Sequence, residues 1–289
     1  MPFADCDGIR TRYEVLGAGP PLLMYAPGGF DATVEKWSTQ SIYATVKLLE
    51  HLPERFTCVA FDRRETGQSG GRVERVTWRH YAAQGKALLE HLGIERAHVI
   101  GGCMGVSCAL AFAVAYPQAT DRLVLWWPVG GAMYRINAER RFAQHLAFAQ
   151  RDGLEAVVAV VRTERKSFGG DPRGGPWAAT IAGDDAFAQS YARLAPDQYA
   201  LVVSGMGRTL FDRDTAPGAE PEDLLRLTNP ALIVPGRDAS HATSAARYLE
   251  ECLPAADYWD VAVADQTEAA ANERIADFLI RNTSTSFVD

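Results

Sequence analysis

Short apolar runs alternate with stretches of helical spacing in the first part of the chain. The helical stretches are "TQSIYATVKLLEHL", "HYAAQGKALLEHLGI" and "VSCALAFAVAYP". The apolar runs are "PLLMYA" (21–26), "TCVAFD" (57–62), "AHVIGG" (97–102) and "RLVLWWPV" (122–129). Near-continuous apolar strands separated by helices predict a parallel sheet covered on both faces. The alternating "RTRYEVLG" predicts an antiparallel strand at the start.

The same alternation returns late in the chain. It consists of "ALIVPG" (231–236), a helix over "SAARYLEECL", a strand "DYWDVAV" (257–263) and a closing helix "EAAANERIADFLI". Residues 130–228 contain helical stretches but no buried-strand run. We therefore predict an α/β core from residues 1–129 and 229–289, with residues 130–228 inserted as a helical cap over the strand C-termini. The last eight residues, "NTSTSFVD", are expected to form a frayed tail.

Composition narrows the class of protein. Hydrophobic residues make up 47% and charged residues 22% of the 289 residues, which is ordinary for a globular chain. The net charge of -7 gives no basic stripe for nucleic acid, and no apolar run is long enough for a bilayer. We expect a cytoplasmic protein whose partner is a small-molecule substrate, without nucleic acid or membrane; a homodimer is left open. The five cysteines lack the spacing of a disulfide framework or a zinc site, so no metal is predicted.

The stretch "VIGGCMGVS" (99–107) has the form of a nucleophile elbow. A strand ends at Gly101, Cys103 follows two positions later, and a helix begins near Gly105. The nucleophile of such a turn has positive φ, and the crossing strand and helix leave room only for small residues on either side. Two alternatives are a dinucleotide-binding loop, whose glycine spacing fits poorly, and an elbow in which the cysteine is merely tolerated.

The chain resembles the α/β-hydrolases over nearly all of its length outside the predicted cap. The resemblance is carried by "PLLMYAPGGFDATVEKW", "FDRRETGQSGG", "HLGIERAHVIGGCMG" and "PALIVPGRDASHATSAARYL". A cysteine at the elbow is similar to dienelactone hydrolases and polyhydroxyalkanoate synthases. The resemblance implies the α/β-hydrolase fold, a mostly parallel sheet flanked by helices with a helical cap insertion, and chemistry without a cofactor.

The resemblance also implies partners for Cys103. The backbone N–H of Met104 and one from "APGGF", with Gly29 preferred, would form the oxyanion hole. Asp238 would be the acid that orients the base, although it comes one residue earlier than is usual in the family. The glycines could instead form only a tight turn, and Asp238 could be a helix N-cap.

The general base is where the chain departs from the family. Gln266 stands about where the histidine is expected, and no histidine follows His241. Three substitutes remain open: His241 in the loop after Asp238, His145 in the cap, and Glu65 beside an arginine. A thiol needs a base less than a hydroxyl does, because it is partly ionised near neutral pH and more so at a helix N-terminus.

Three aromatic residues, Phe30, Trp37 and Trp127, are expected to line an apolar pocket. The leading hypothesis is a hydrolase with Cys103 as nucleophile and His241 and Asp238 as candidate base and acid. It would act on a small apolar ester, lactone or thioester through a covalent acyl-enzyme. Because the late histidine is missing, two alternatives remain open. One is a C–C or C–X lyase or acyltransferase on the same fold, and the other is a non-catalytic ligand-binding protein.

Overall fold

A single eight-stranded sheet organises the computed structural model, which describes residues 1–281. The strands are β1 (Phe3–Cys6), β2 (Ile9–Leu16), β3 (Pro21–Tyr25), β4 (Thr57–Phe61), β5 (Ala97–Gly102), β6 (Thr120–Trp126), β7 (Ala231–Val234) and β8 (Ala256–Tyr258). Their order is β1-β2-β4-β3-β5-β6-β7-β8. The hairpin β1–β2 joins β4 antiparallel, and every later pairing is parallel, so the predicted sheet is confirmed.

Helices cover the sheet and fill the connection between β6 and β7. They are α1 (Lys36–Thr39), α2 (Ser41–Val46), α3 (Leu48–His51), α4 (Trp78–His91), α5 (Met104–Ala115), α6 (Ala132–Glu164), α7 (Ala178–Gly183), α8 (Asp185–Ala192), α9 (Pro196–Leu210), α10 (Pro221–Leu224), α11 (Thr243–Cys252) and α12 (Glu268–Ile280). Residues 130–228, called the helical segment below, contain α6 to α10 and no strand. Within residues 1–281, no helix is both long and apolar enough to cross a membrane.

Two predicted elements differ in the structure, and a third is not tested. The strand predicted over 257–263 is wrong beyond Tyr258: β8 is an edge strand that can pair only with the short β7, and Val263–Asp265 form a 3₁₀ turn. The helix predicted over "TQSIYATVKLLEHL" is interrupted at Lys47, which has φ +50°. The expected tail, "NTSTSFVD", lies outside the described residues.

Strand alternation divides the core between the two faces of the sheet. On β3, Leu23 and Tyr25 join the cluster that packs under α4, α5 and the helical segment. Leu22 and Met24 point the other way, into the cluster beneath α1 to α3 and α12. Because side chains alternate along a strand, one apolar run supplies both cores. The helical segment therefore shares a continuous apolar core with one face of the sheet.

Helix α5 lies unusually close to strands β3 and β5. A Cβ atom on Gly105 would lie 2.2 Å from the carbonyl oxygen of Tyr25, and one on Gly101 would lie 2.3 Å from the carbonyl oxygen of Gly105. Both neighbours are backbone atoms, which cannot rotate away. The small residues expected on either side of residue 103 are therefore required by the crossing of helix and strands.

We predict that Gly105→Ala destabilises the protein by about 1–3 kcal/mol, because the new methyl group overpacks a rigid crossing. The measurement is the free energy of unfolding in denaturant. Gly183→Ala is the control, since a Cβ atom there would have no neighbour within 4 Å. Equal stabilities for the two variants would show that the crossing can open without cost.

Candidate active site

Cys103 stands at the turn between β5 and α5. Its backbone has φ +53° and ψ −124°, a conformation that a non-glycine residue adopts only where the surrounding structure enforces it. The Cys103 N–H donates to the carbonyl of Trp126 on β6, at 3.1 Å, which fixes the turn to the sheet. The side chain is only partly exposed and lies at the first turn of α5, where the helix dipole favours an anion.

The loop after β7 brings a carboxylate and an imidazole together. Asp238 Oδ1 accepts hydrogen bonds from the backbone N–H groups of Ser240, at 2.8 Å, and His241, at 2.9 Å. The same carboxylate contacts Nδ1 of His241 at 2.8 and 2.9 Å. Since a carboxylate only accepts, Nδ1 carries the proton. Nε2 of a neutral His241 is then the free acceptor, as a general base requires.

The other side of the His241 ring meets Cys103. Nε2 is buried and makes no regular hydrogen bond within residues 1–281, yet the ring and the thiol are close enough to shift each other's pKa. Burial works against an imidazolium, but Cys103 and Asp238 outweigh it and raise the pKa of His241 to about 9. Burial also works against a thiolate, but His241 and the N–H groups of Gly28 and Met104 lower the Cys103 pKa. The pair therefore favours thiolate and imidazolium.

Two backbone donors converge on the Cys103 sulfur. The N–H groups of Gly28 and Met104 both stabilise its anionic form. Met104 is the residue chosen from the sequence, whereas Gly28 precedes the chosen Gly29. Gly28 has φ +106°, and no motif distinguished it from its neighbour. The structure thus adds Gly28 as a candidate oxyanion donor, and the role of Gly29 stays a prediction.

A buried arginine holds this glycine loop. The guanidinium of Arg63 donates to the carbonyls of Gly28, at 3.2 Å, and Gly29, and it lies 4.7 Å from the ring centre of Tyr81. Arg63 is 2% exposed, and no carboxylate of residues 1–281 lies within ion-pair distance of it. The nearest soft acceptor is Cys108 Sγ, at 3.5 Å. Sequence reasoning did not identify Arg63, because nothing in its spacing marks it as buried.

His145 is not brought to the thiol. It is fully buried in the helical segment, where Nδ1 contacts the carbonyl of Pro172 at 2.9 Å and Nε2 contacts the hydroxyl of Tyr199 at 2.5 Å. Burial lowers its pKa to about 4, so it is neutral near pH 7. Both ring nitrogens already have partners, and its packing is that of a core histidine.

Glu65 forms hydrogen bonds with arginines and not with Cys103. Its carboxylate accepts from Arg64 Nε at 2.9 Å and from the Arg72 N–H at 3.4 Å. Burial raises its pKa to about 7, although Arg64 acts in the opposite direction. Of the three substitute bases left open by the sequence, only His241 interacts with Cys103 in the structure.

Gln266 has a structural task at the position where a histidine was expected. It is 1% exposed; its Oε1 accepts from Trp127 Nε1 at 2.8 Å and its Nε2 donates to the carbonyl of Pro235 at 2.8 Å. The Trp127 ring in turn packs against His241, with ring centres 5.3 Å apart. Gln266 therefore positions the Trp127 indole that packs against the His241 ring.

The three predicted pocket residues separate in the structure. Phe30 packs edge-on against Phe168, a residue of the helical segment, with ring centres 5.2 Å apart. Trp127 lies beside His241, as described above. The assignment of Trp37 to the pocket is wrong: this residue is fully buried and packs edge-on against Tyr43 in the core beneath the elbow. A large apolar side chain on a short helix had no sequence signal to separate core from pocket.

Comparison with known proteins agrees with this architecture. A family model described as alpha/beta hydrolase fold matches residues 21–161, just under half of the chain. The crystal structure of the enol-lactonase from Burkholderia xenovorans LB400 superposes with a TM-score of 0.61 at 19% identity, over 97% of this chain and 100% of that one. The chain has the α/β-hydrolase fold.

Curated relatives match only parts of this chain. The chain is 34% identical over 128 residues to the dihydrolipoyllysine-residue acetyltransferase component of the acetoin cleaving system of Cupriavidus necator, covering 44% of this chain and 32% of that protein. It is 47% identical over 45 residues to the 2-hydroxy-6-oxo-6-phenylhexa-2,4-dienoate hydrolase of Comamonas testosteroni, covering 16% of each. The chain thus spans about a third of the length of the first relative and less of the second.

The pKa shifts predict how Cys103 reacts with pH. Its alkylation by iodoacetamide should reach half its maximal rate below the pH of an ordinary thiol, about 8.5. In His241→Ala the midpoint should rise, because burial then dominates and favours the neutral thiol. Rates at a series of pH values, with alkylation mapped by mass spectrometry, test this. His51→Ala, at a partly exposed surface histidine, should match the wild type; an unshifted midpoint in His241→Ala would contradict the coupling.

The Gln266 contacts predict a double-mutant result. Gln266→Leu should lower the free energy of unfolding by about 1–3 kcal/mol, because it leaves a buried indole N–H and a carbonyl without partners. In a Trp127→Phe background the loss should be smaller, since the indole N–H is already gone. Denaturant titration of the four proteins gives the coupling. Equal losses in both backgrounds would mean that the contact contributes nothing.

Proposed function

We propose that the protein is a cofactor-independent hydrolase that uses Cys103 as a nucleophile on a small apolar ester, lactone or thioester. One observation carries the proposal: His241 has one ring nitrogen on Asp238 and the other, otherwise unpaired, against the Cys103 thiol. A nucleophile, a neighbouring base and a group that orients the base form the relay of covalent acyl transfer.

Acylation begins from the thiolate. Sγ of Cys103 attacks the substrate carbonyl, the C–S bond forms, and the carbonyl oxygen becomes an oxyanion that the N–H groups of Gly28 and Met104 can receive. The C–O or C–S bond to the leaving group then breaks. The imidazolium of His241 gives its Nε2 proton to the departing atom, which leaves an acyl-enzyme and a neutral imidazole.

The neutral imidazole supplies what deacylation requires. Nε2 of His241 takes a proton from water, and the resulting hydroxide forms a bond to the thioester carbon. The C–S bond breaks, Cys103 returns as a thiolate and the imidazolium is restored. Asp238 stabilises that imidazolium through Nδ1. The absence of a late histidine was the reason to consider a lyase or a non-catalytic protein. A base at His241, after β7, supports a hydrolase instead.

The surroundings favour an apolar acyl group. Phe30, next to the glycine loop, packs against Phe142, Phe168 and Phe211 of the helical segment, with ring centres 5.2–6.4 Å apart. We propose that the helical segment acts as a cap whose aromatic side chains contact the substrate. The names of the similar proteins, an enol-lactonase and a dienoate hydrolase, support a carbonyl compound as substrate.

The test uses phenyl butanoate as the substrate. Intact-mass spectra should show a butanoyl group on the wild-type protein and none on Cys103→Ala, since the pKa of the Cys103 thiol is lowered. Cys58→Ala is the control, because burial raises the pKa of that thiol to about 12 and keeps it inert. In ¹⁸O-labelled water, hydrolysis places the label in butanoate.

Two outcomes would overturn the proposal. Phenyl butanoate that leaves wild-type Cys103 unmodified, with no butanoate released, would exclude the cysteine hydrolase. An acyl-enzyme that releases no labelled butanoate, but passes its acyl group to an added amine or alcohol, would make the protein an acyltransferase.

A further inference from the structure

Tyr134 carries a buried hydroxyl that has nothing to bond to. It lies in the first turn of α6, in the helical segment, and only 9% of the residue is exposed. Its phenolic oxygen is inaccessible and has no hydrogen-bond partner within residues 1–281. A buried hydroxyl without a partner is costly, and native structures retain such groups where a ligand or ordered water completes them.

The start of α6 is tied to the loop that carries the base. The Gly130 N–H donates to the carbonyl of Ser240 at 3.0 Å, and the Ala242 N–H donates back to the Gly130 carbonyl at 3.3 Å. These bonds pair Gly130 with His241 as in a parallel β-bridge. The first turn of α6, including Tyr134, is therefore positioned by the residues on either side of His241.

The Tyr134 hydroxyl is within electrostatic range of the reacting sulfur. Burial raises its pKa well above the ordinary value, and the negative charge of Cys103 is the next largest cause in the same direction. The hydroxyl therefore remains protonated and acts as a donor. Its ring packs against Phe211, with centres 5.3 Å apart, which restricts the direction in which the hydroxyl can point.

The other two tyrosines of the helical segment have partners for their hydroxyl groups. The hydroxyl of Tyr191 donates to that of Tyr199 at 2.5 Å, and Tyr199 also contacts His145. Two phenols of the same segment that are buried at least as deeply are thus satisfied within the protein. Tyr134, the one held beside the loop of His241, is left open.

We propose that Tyr134 donates a hydrogen bond to the leaving-group oxygen of a bound ester or lactone, which makes it a specificity residue for oxygen over sulfur leaving groups. The inference rests on the proposed function. The backbone donors already receive the carbonyl oxygen, so the atom that remains to gain negative charge as the bond breaks is the leaving oxygen. His241 supplies the proton to that atom, and Tyr134 only donates a hydrogen bond.

The experiment compares phenyl butanoate with S-phenyl thiobutanoate, which share an acyl group and differ in the leaving atom. Sulfur is a weak hydrogen-bond acceptor. Tyr134→Phe should slow acylation of Cys103 about 10- to 100-fold with the oxygen ester, the effect expected for a hydrogen bond to a charged group. Acylation by the thioester should change less than about 3-fold. Both rates follow from intact mass and from release of phenol or thiophenol.

Two further measurements separate this role from packing. Tyr134→Phe should leave Tm unchanged or raise it, because the variant keeps the ring and removes an unsatisfied polar group. Tyr191→Phe is the matched control: it removes a paired hydroxyl of the same segment and should leave the oxygen-to-sulfur ratio as in the wild type. Equal effects of Tyr134→Phe on both esters, including no effect, would overturn the inference. A wild-type protein acylated by neither ester would overturn the proposed function instead.

Discussion

The electrostatic pairing of the Cys103 thiol with the His241 imidazole is the interaction on which the rest of the site depends. Burial alone acts to raise the pKa of Cys103 and to lower the pKa of His241, so it disfavours both charges. They ionise as a pair, because each supplies the opposite charge and Asp238 anchors the outer nitrogen. The strained turn of residue 103 and the glycines that permit it serve this contact. They bring a sulfur from the β5–α5 turn against a ring from the loop after β7.

Much of this arrangement could be predicted from the sequence, and the reasons are local. Apolar runs at regular intervals define the strands, and the elbow glycines are required by backbone atoms only a few residues away or on an adjacent strand. The choice among His241, His145 and Glu65 could not be made, because it depends on side-chain direction. His241 is aimed by a turn in which Asp238 accepts two backbone N–H groups, and that turn is visible only in three dimensions. Trp37 was misplaced for a similar reason, since apolar pattern does not separate core from pocket.

His241 as the proposed base also accounts for Gln266 at the position where the histidine is expected. With His241 as the proposed base, position 266 needs no imidazole. Gln266 instead forms hydrogen bonds with the Trp127 indole and with the carbonyl of Pro235. It therefore holds in place both the indole beside His241 and the end of β7. An amide suits this task because it donates and accepts at once and carries no charge that would compete with the thiolate. In the proposed mechanism His241 supplies the base, and Gln266 positions the indole that packs beside it.

Arg63 completes the electrostatics of the proposed reaction. Its buried guanidinium has no carboxylate within ion-pair distance among residues 1–281, and two backbone carbonyls and an aromatic ring surround it. Burial acts to lower the pKa of Arg63, but neighbours led by Cys108 and including Cys103 raise it. In the resting pair, the cations Arg63 and His241 balance the anions Cys103 and Asp238. When the thiolate attacks, its charge moves to the oxyanion and the balance is kept. When the imidazolium gives up its proton to the leaving group, one positive and one negative charge vanish together. The charges of these four groups therefore cancel at every step of the proposed reaction.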